Sequence, residues 1–338
     1  MSLDIRKIIG PRIIKTGIST FLTAVICIVL NLPPIFAVIT AIVTIEPTAY
    51  ASLKKAYVRF PASIIGAFIA VASLYLFGES ALTYSLAATL TIFVTYRLKL
   101  HAGVLVAALT AVAMVPSVGD AYFYNFFSRL ATTTIGLATS TLVNFFILPP
   151  KYTDQIEEMT KATTKKTHQL LVKRIRELTE GRFVSKRSEK EYSSIQKQIT
   201  ESEKLLKYQQ DEFKYHRSNR SEMRLMNRLE RESQFKKLYF IHVGNLIYLP
   251  ENITMDFSFE EKEAMEDIAR CLAGDLSTLK MTNPSIRSLR RCIRRMDGEN
   301  DAFKIHVLYE IIIIYQMIVQ HERASGENRK VNTQIKAD

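Results

Sequence analysis

Residues 34–45 read PIFAVITAIVTI, an apolar run that follows Pro33 and stops at Glu46-Pro47. A helix that crosses a hydrocarbon core of roughly 30 Å needs about 17–25 mostly apolar residues, so this run is too short to cross comfortably. A second short run, 102–115, is bounded by Gly103 and Pro116. We interpret both runs as half-helices or as tightly packed short spans of a membrane domain.

Four longer apolar stretches accompany the two short runs, at residues 13–30, 61–77, 81–96 and 130–148. Each approaches the length of a membrane-spanning helix. Together the six runs predict an all-α membrane domain with six transmembrane helices in residues 1–150.

Charge divides the chain into two unlike halves. Residues 1–150 hold 10 Lys and Arg and 4 Asp and Glu, whereas residues 151–338 hold the other 35 and 29. A globular domain carries roughly a quarter charged residues throughout, so neither half fits a single water-soluble core. We expect a six-helix transmembrane domain over 1–150, a cytoplasmic helical-bundle domain over 151–325 and a disordered tail over 326–338.

The charged residues between the apolar runs also predict an orientation. Six crossings from a cytoplasmic N-terminus place ten Lys and Arg residues on the same side: Arg6, Lys7, Arg12, Lys15, Lys54, Lys55, Arg59, Arg97, Lys99 and Lys151. Arg129, at the mouth of the last helix, is the exception. The opposite loops hold Glu79 and Asp120. Cytoplasmic loops are enriched in Lys and Arg, so we expect a multi-pass protein of the plasma membrane with both termini cytoplasmic.

The membrane half resembles itself at an offset of 70 residues. The shift aligns Ala37 with Ala107, Arg59 with Arg129, and Gly66 with Gly136. Three crossings in each repeat would invert the second unit relative to the first, as in many secondary transporters, where paired short or broken helices border the substrate path. Matches in an Ala-rich and Ile-rich sequence also arise by chance, and that alternative stays open here.

Irregular backbone at membrane depth survives only where protein or a water-filled cavity satisfies its polar groups. The residues at the breaks beside the short runs are therefore candidates for lining a substrate path, and so is a polar residue deep in the last helix. The candidates are Pro33, Pro34, Glu46, Pro47, Gly103, Pro116 and Asn144. Pro34 suits the first turn of a half-helix whose N–H groups attract a carboxylate. The alternatives are that Pro33-Pro34 ends an extracellular turn and that Asn144 bonds a neighbouring helix.

Three ionisable residues are candidates for coupling or gating. Glu46 is the one acidic residue between Asp4 and Glu79, and it could exchange a proton against substrate. His101 could relay protons, and Arg129 could attract anions. The competing interpretations are interfacial residues for Glu46 and His101, and an arginine that snorkels to the interface for Arg129.

The charged half predicts helices over 155–180, 189–213, 221–248, 258–280 and 301–321, with Ser258 and Glu261 forming a capping box. The run 302–320 is nearly long enough to span a membrane, but its polar residues favour a buried bundle helix. No phosphate-binding glycine loop, nucleophile elbow or kinase signature occurs, and the three cysteines have no metal-site spacing. We therefore expect no enzyme, no cofactor and no metal.

Two segments resemble a known family. The pattern Leu32-Pro33-Pro34, then 41–48 (AIVTIEPT), then Lys54-Lys55, Arg59 and Ile65-Gly66 is similar to the fusaric-acid-resistance and aromatic acid exporter superfamily. The close of the last helix, 143–152 (VNFFILPPKY), resembles its short bacterial branch, aromatic acid exporter family 1.

The resemblance implies a plasma-membrane exporter of aromatic or other small organic acids, and we expect the proton gradient to drive it. The partners would be the lipid bilayer, the acid substrate and further copies of the chain in a homo-oligomer, with no nucleic acid. The rival hypothesis is a membrane-anchored scaffold or sensor that transports nothing and whose cytoplasmic helical domain binds a partner.

Overall fold

Helices are the regular elements throughout the part of the chain that the structure describes. The structure is a computed structural model, and it describes residues 10–117, 122–215, 219–274, 276, 279–298 and 300–334, with side chains to 324. Arg6, Lys7, Asp120 and residues 335–338, on which parts of the expected orientation and tail depend, lie outside these ranges. The all-helical fold that the sequence predicts is confirmed for the described residues.

The chain divides into two compact units. The first comprises Met1–Lys151 together with Tyr208–Ser218, and the second comprises Tyr152–Lys207 and Asn219–Asp338. The segment 208–218 comes from the charged half of the sequence, and nothing in the sequence predicts that it belongs to the first unit.

Residues 10–151 contain six described α-helices: α1 (Pro11–Val29), α2 (Pro34–Thr44), α3 (Ala49–Phe77), α4 (Ala81–Arg97), α5 (Val104–Met114) and α6 (Tyr122–Phe146). Prolines occupy the first turns of α1 and α2, where a missing N–H costs nothing. Thr48 caps α3 by accepting a hydrogen bond from the N–H of Ala51 (3.1 Å), and Ser80 caps α4 in the same way.

Two helices begin well before the apolar runs that predict them. Helix α3 begins at Ala49 rather than Pro61, and α6 begins at Tyr122 rather than Leu130. A helix that has started continues easily into polar and aromatic residues, whereas an apolar run marks only the part of a helix that fits hydrocarbon. The early start of α6 places Arg129 two turns inside the helix instead of at its mouth.

Three described helices are long and apolar enough to cross a membrane by length and composition, namely Pro11–Val29, Ala49–Phe77 and Ala302–Ala324. Pro34–Thr44 and His101–Met114 are shorter apolar helices. These helices support a membrane protein, and the count of six crossings stays a prediction.

The first unit has an inside-out distribution of side chains. Large apolar residues such as Phe21, Phe68 and Phe93 are exposed, whereas Thr23, Thr91 and many other small hydroxylated residues are buried. Water-soluble proteins rarely expose contiguous apolar surface. Membrane helices, in contrast, pack through small residues and turn their large apolar side chains to lipid. This distribution agrees with a first unit that is surrounded by the hydrocarbon of a lipid bilayer.

Two glycines in the first unit allow helices to approach closely. A Cβ atom on Gly66 of α3 would lie 2.4 Å from the carbonyl oxygen of Ala107 in α5. A Cβ atom on Gly136 of α6 would lie 2.4 Å from the carbonyl oxygen of Ala37 in α2. Any larger residue at either position must push the two backbones apart.

The second unit holds α7 (Thr153–Thr179), most of α8 (Lys186–Phe213), and α9 (Arg220–Ile247), α10 (Phe259–Ala273), α11 (Pro284–Ile293) and α12 (Ala302–Gln334). Its core includes Leu171, Val243, Met265, Leu289 and Ile314, each fully buried. The α12 residues Ile311, Ile312 and Ile314 pack in this core as the buried-helix interpretation requires, although the helix also qualifies as a span by composition.

The ends of the later helices differ in part from the sequence-based expectation. The capping box of Ser258 and Glu261 is confirmed at the start of α10. The helix ends at Ala273 rather than near Lys280, and Gly274 follows it in an extended conformation. Helix α12 continues to Gln334, past residue 326 where the sequence predicts the tail to begin, since adding a residue to an existing helix is easy compared with starting one.

Candidate functional site

A group of polar side chains surrounds the break between α2 and α3. Pro47 disfavours a helical conformation for Glu46, so α2 ends at Thr44 and α3 begins only at Ala49. Around this break lie the six residues that we call the Glu46 cluster: Lys15, Glu46, Ser52, Lys55, Arg59 and Asn144. The cluster joins α1, α3, α6 and the α2–α3 connection.

Glu46 forms two ion pairs. Its Oε1 lies 2.9 Å from Nη2 of Arg59, and its Oε2 lies 2.8 Å from Nζ of Lys55. The Arg59 side chain is 8% exposed and that of Lys55 is 42% exposed, so Arg59 is the buried partner. Exposed ion pairs contribute little, whereas removing one member of a buried pair leaves an uncompensated charge.

The Arg59 guanidinium also connects three parts of the unit. Nη1 donates to the carbonyl of Val43 in α2 (3.2 Å), and Nε donates to the carbonyl of Ala102 just before α5 (3.3 Å). With Glu46, all three nitrogens of this buried arginine have acceptors. Arg59 therefore links one end of each short helix to α3.

Asn144 is fully buried at the centre of the cluster. Its Oδ1 accepts a hydrogen bond from Nζ of Lys15 (2.7 Å). Its Nδ2 faces three acceptors, which are Oγ of Ser52 (2.7 Å) and the carbonyls of Glu46 (3.0 Å) and Thr48 (3.1 Å). The amide thus satisfies the irregular backbone between α2 and α3, which otherwise lacks helical partners.

A carboxylate from the segment 208–218 reaches the start of α3. Glu212 is 2% exposed, and its Oε1 accepts a hydrogen bond from the N–H of Ala49 (2.7 Å). The ring of Tyr215 lies against Tyr50 and Phe145, with centroids 5.9 and 6.3 Å apart. An anion at a helix N-terminus is favourable, so this segment caps α3 beside the Glu46 cluster.

Arg129 occupies a separate position on α6. Its Nη2 donates to Oγ1 of Thr110 in α5 (2.9 Å), and its Cζ lies 3.8 Å from the ring centroid of Phe36 in α2. The residue is only 7% exposed, so it does not snorkel as the sequence-based alternative supposes. Helices α2 and α5 cover it.

Among the remaining sequence candidates, Pro33, Pro34, His101 and Pro116 have no described contact with the cluster, whereas Gly103 packs beside the backbone of Arg59. Pro33 and Pro116 are exposed, Pro34 stands at the first turn of α2, and Pro47 directly follows Glu46. His101 is exposed, with its ring edge-on to Tyr96. Gly103 is buried because α3 packs on it, as a Cβ atom there would lie 2.4 Å from Cβ of Ala62.

The sequence-based interpretation misses four members of the cluster. It gives Lys15, Lys55 and Arg59 a role only as orientation charges, repeat matches or parts of the family pattern, and it gives Ser52 none. A signal for Lys15 was present, because Lys15, Ser19, Thr23 and Cys27 repeat every four residues along the buried side of α1. A polar stripe on a membrane helix faces protein rather than lipid.

Comparison with known proteins agrees with this membrane architecture. Residues 7–147 match the model of aromatic acid exporter family member 1, which confirms the resemblance drawn from the sequence. A UPF0421 protein of Staphylococcus epidermidis is 45% identical over 317 residues, covering 93% of this chain and 96% of the relative. UPF0421 proteins of Staphylococcus aureus strain Mu3 and Staphylococcus saprophyticus are each 44% identical, covering 93% of this chain and 97% of the relative.

The match of residues 7–147 to an exporter family indicates a membrane transporter. Because the match to the relatives extends over nearly the whole chain, the chain belongs to the UPF0421 family.

Proposed function

We propose that the protein exports small organic acids, aromatic acids among them, across the cell membrane and that the proton gradient drives it. In this proposal, residues 1–150 form the transmembrane domain and residues 151–325 form a cytoplasmic domain. The chain works as a homo-oligomer in the bilayer. Helices α1–α3 and α4–α6 are two inverted units of three crossings each.

The pairing of helices supports the two-unit arrangement. If the two units are equivalent, α1, α2 and α3 correspond to α4, α5 and α6. The contact of α1 with α2 then corresponds to that of α4 with α5. The contact of α3 with α5 corresponds to that of α6 with α2. Both members of each pair of contacts are observed. The close approach of Gly66 to Ala107 likewise corresponds to that of Gly136 to Ala37, with every residue shifted by 70.

One observation carries the proposal of transport: α2 contacts both buried arginines, and α5 together with the turn before it does the same. Helix α2 contacts Arg129 through Phe36 and Arg59 through Val43. Helix α5 contacts Arg129 through Thr110, and the turn before it contacts Arg59 through Ala102. A shift of either short helix therefore changes the surroundings of Arg59 and Arg129 together. Alternating access requires coupled movement of this kind.

Glu46 is the group that we propose to couple protons to this movement. The charged carboxylate holds Arg59 and Lys55, and a proton on it would remove the attraction that keeps α3 against the α2–α3 connection. In this proposal, proton uptake by Glu46 and opening of its two ion pairs occur together. That linkage is what coupled transport needs.

Flux measurement tests the export proposal. Purified protein in proteoliposomes should transport radiolabelled benzoate faster when a pH gradient is imposed than without one, because proton movement supplies the driving force. Protein-free liposomes correct for diffusion of the neutral acid. Absence of protein-dependent flux across a broad panel of aromatic and aliphatic acids would contradict the proposal.

Cysteine labelling tests the orientation. Lys54 and Glu79 are both exposed, and we expect them on the cytoplasmic and outer sides respectively. In a chain whose three native cysteines are replaced, Glu79→Cys should react with a membrane-impermeant maleimide on whole cells, and Lys54→Cys should react only after the cells are permeabilised. The reverse pattern would rule out the proposed topology.

A sensing role for the second unit is the competing candidate, and a cavity favours it. This cavity of about 1060 Å³ is lined by residues of α7, α9, α10 and α12, including His168, Arg176, Phe235 and His321. The rings of Phe235 and His321 stack with centroids 3.8 Å apart at its wall. Six Lys and Arg residues against four Glu in the lining leave an excess of positive charge beside these rings, which suits an aromatic anion, so this unit would respond to the same class of compound.

A further inference from the structure

Arg129 is a buried cation with unused hydrogen-bonding capacity. Thr110 accepts from Nη2, but Nε and Nη1 are buried and have no acceptor among the described residues. No carboxylate in the described part of the chain pairs with it. A guanidinium carries five N–H groups and is always charged, so most of its donors have no acceptor among the residues that the structure describes.

Arg59 shows how the same chain satisfies such a residue. At the position 70 residues earlier, the guanidinium has Glu46 as its counter-ion and two backbone carbonyls as further acceptors. Both arginines are 7% exposed. The position equivalent to Glu46 is Pro116, which has no charge to offer. The two units thus place an arginine at corresponding positions and supply a carboxylate to only one.

An unpaired buried charge is strongly unfavourable, and the ring of Phe36 offsets only part of that cost. The first turn of α2 adds to the demand for an anion. Phe36 is the third residue of α2, so the N–H groups of this turn lack helical acceptors, and the helix dipole places partial positive charge there. Both features converge on a negatively charged group.

We propose that Arg129 is the binding residue for the carboxylate of the exported acid, with Nε and Nη1 donating to its oxygens beside the first turn of α2. The identity of the ligand as cargo rests on the proposed export function, whereas binding itself does not. Arg129 and Asn144 are fifteen residues apart on α6, or about 22 Å. The carboxylate site therefore lies far along the helix from the Glu46 cluster, towards the proposed outer side.

Calorimetric titration of the purified full-length protein in detergent with benzoate tests the proposal. Arg129→Gln should weaken benzoate binding at least about tenfold, because charge-assisted hydrogen bonds to the carboxylate are lost. Arg129→Lys should retain part of the affinity, since the charge remains. Arg97→Gln is the matched control, because Arg97 is an exposed arginine at the end of α4, and it should bind as the wild type does.

Stability without ligand separates a binding role from a structural one. If protein groups leave Arg129 unpaired, Arg129→Gln removes a costly buried charge, and its apparent unfolding temperature without benzoate should equal or exceed that of the wild type. A clear drop would show that the residue serves the fold and would overturn the proposal. So would unchanged benzoate affinity in Arg129→Gln, equal weakening by Arg97→Gln, or no benzoate binding by the wild type at millimolar concentrations.

The titration and the flux assay can fail independently. Arg129-dependent benzoate binding without any flux would refute export and leave the site in place. Flux that does not depend on Arg129 would refute the site and leave export in place. Displacement of benzoate by an equal concentration of chloride would show a general anion site and overturn the assignment to an organic acid.

Discussion

Glu46→Gln is expected to reduce pH-gradient-driven flux to the level of protein-free liposomes. Glutamine keeps the size and hydrogen-bonding shape of the side chain but carries no charge and takes up no proton. Arg59 loses its buried counter-ion but retains its bonds to the carbonyls of Val43 and Ala102, so we expect the variant to be less stable and still to insert and fold. Exchange of labelled for unlabelled benzoate across the liposome membrane needs no net proton movement, and it should persist.

The second cation on Glu46 supplies a matched control. Lys55 pairs with the same carboxylate at 2.8 Å, but its side chain is far more exposed than that of Arg59. Lys55→Gln should therefore leave both driven flux and exchange close to those of the wild type. Undiminished driven flux in Glu46→Gln would remove the proton role from this residue. Loss of both driven flux and exchange would instead assign Glu46 to holding the structure.

The order of the helices follows from the sequence, but several of their ends do not. Apolar runs predict the segments that suit hydrocarbon, and each of the six coincides with a helix. They do not predict where a helix continues into polar residues, as α3 does through Lys54, Lys55 and Arg59. The same limit applies to α6, and it is why Arg129 lies inside the helix and is buried.

The sequence indicates individual site residues better than their partners. Glu46 and Asn144 stand out because polar groups are costly at membrane depth. Their meeting depends on the packing of α6 against α3, which joins residues 98 positions apart in the chain. Arg59 and Lys15 are hidden among the orientation charges, because a count of cations does not distinguish buried from exposed ones. Glu212 comes from the other half of the sequence, and no local pattern marks it.

The two glycine contacts make a second, independent prediction about the repeat. Gly66→Ala and Gly136→Ala should each lower stability, since a methyl group 2.4 Å from a carbonyl oxygen forces the helices apart. Overpacking of this kind costs about 1–3 kcal/mol. If α3–α5 and α6–α2 are one interface formed twice, the two decreases in apparent unfolding temperature in detergent should be similar. The Gly136 variant should lose slightly more, because Cβ of Thr40 also lies nearby.

Gly17 provides the control for this comparison. It lies within α1, is exposed, and a Cβ atom there meets nothing within 4 Å. Gly17→Ala should raise stability by about 0.5–1 kcal/mol, because alanine loses less backbone entropy in a helix. If alanine raises stability at Gly17 but lowers it at Gly66 and Gly136, the losses of stability come from helix contact rather than from helix propensity. If only one of the two paired glycines tolerated alanine, the interfaces would not be equivalent, and the inverted repeat would lose its main packing support.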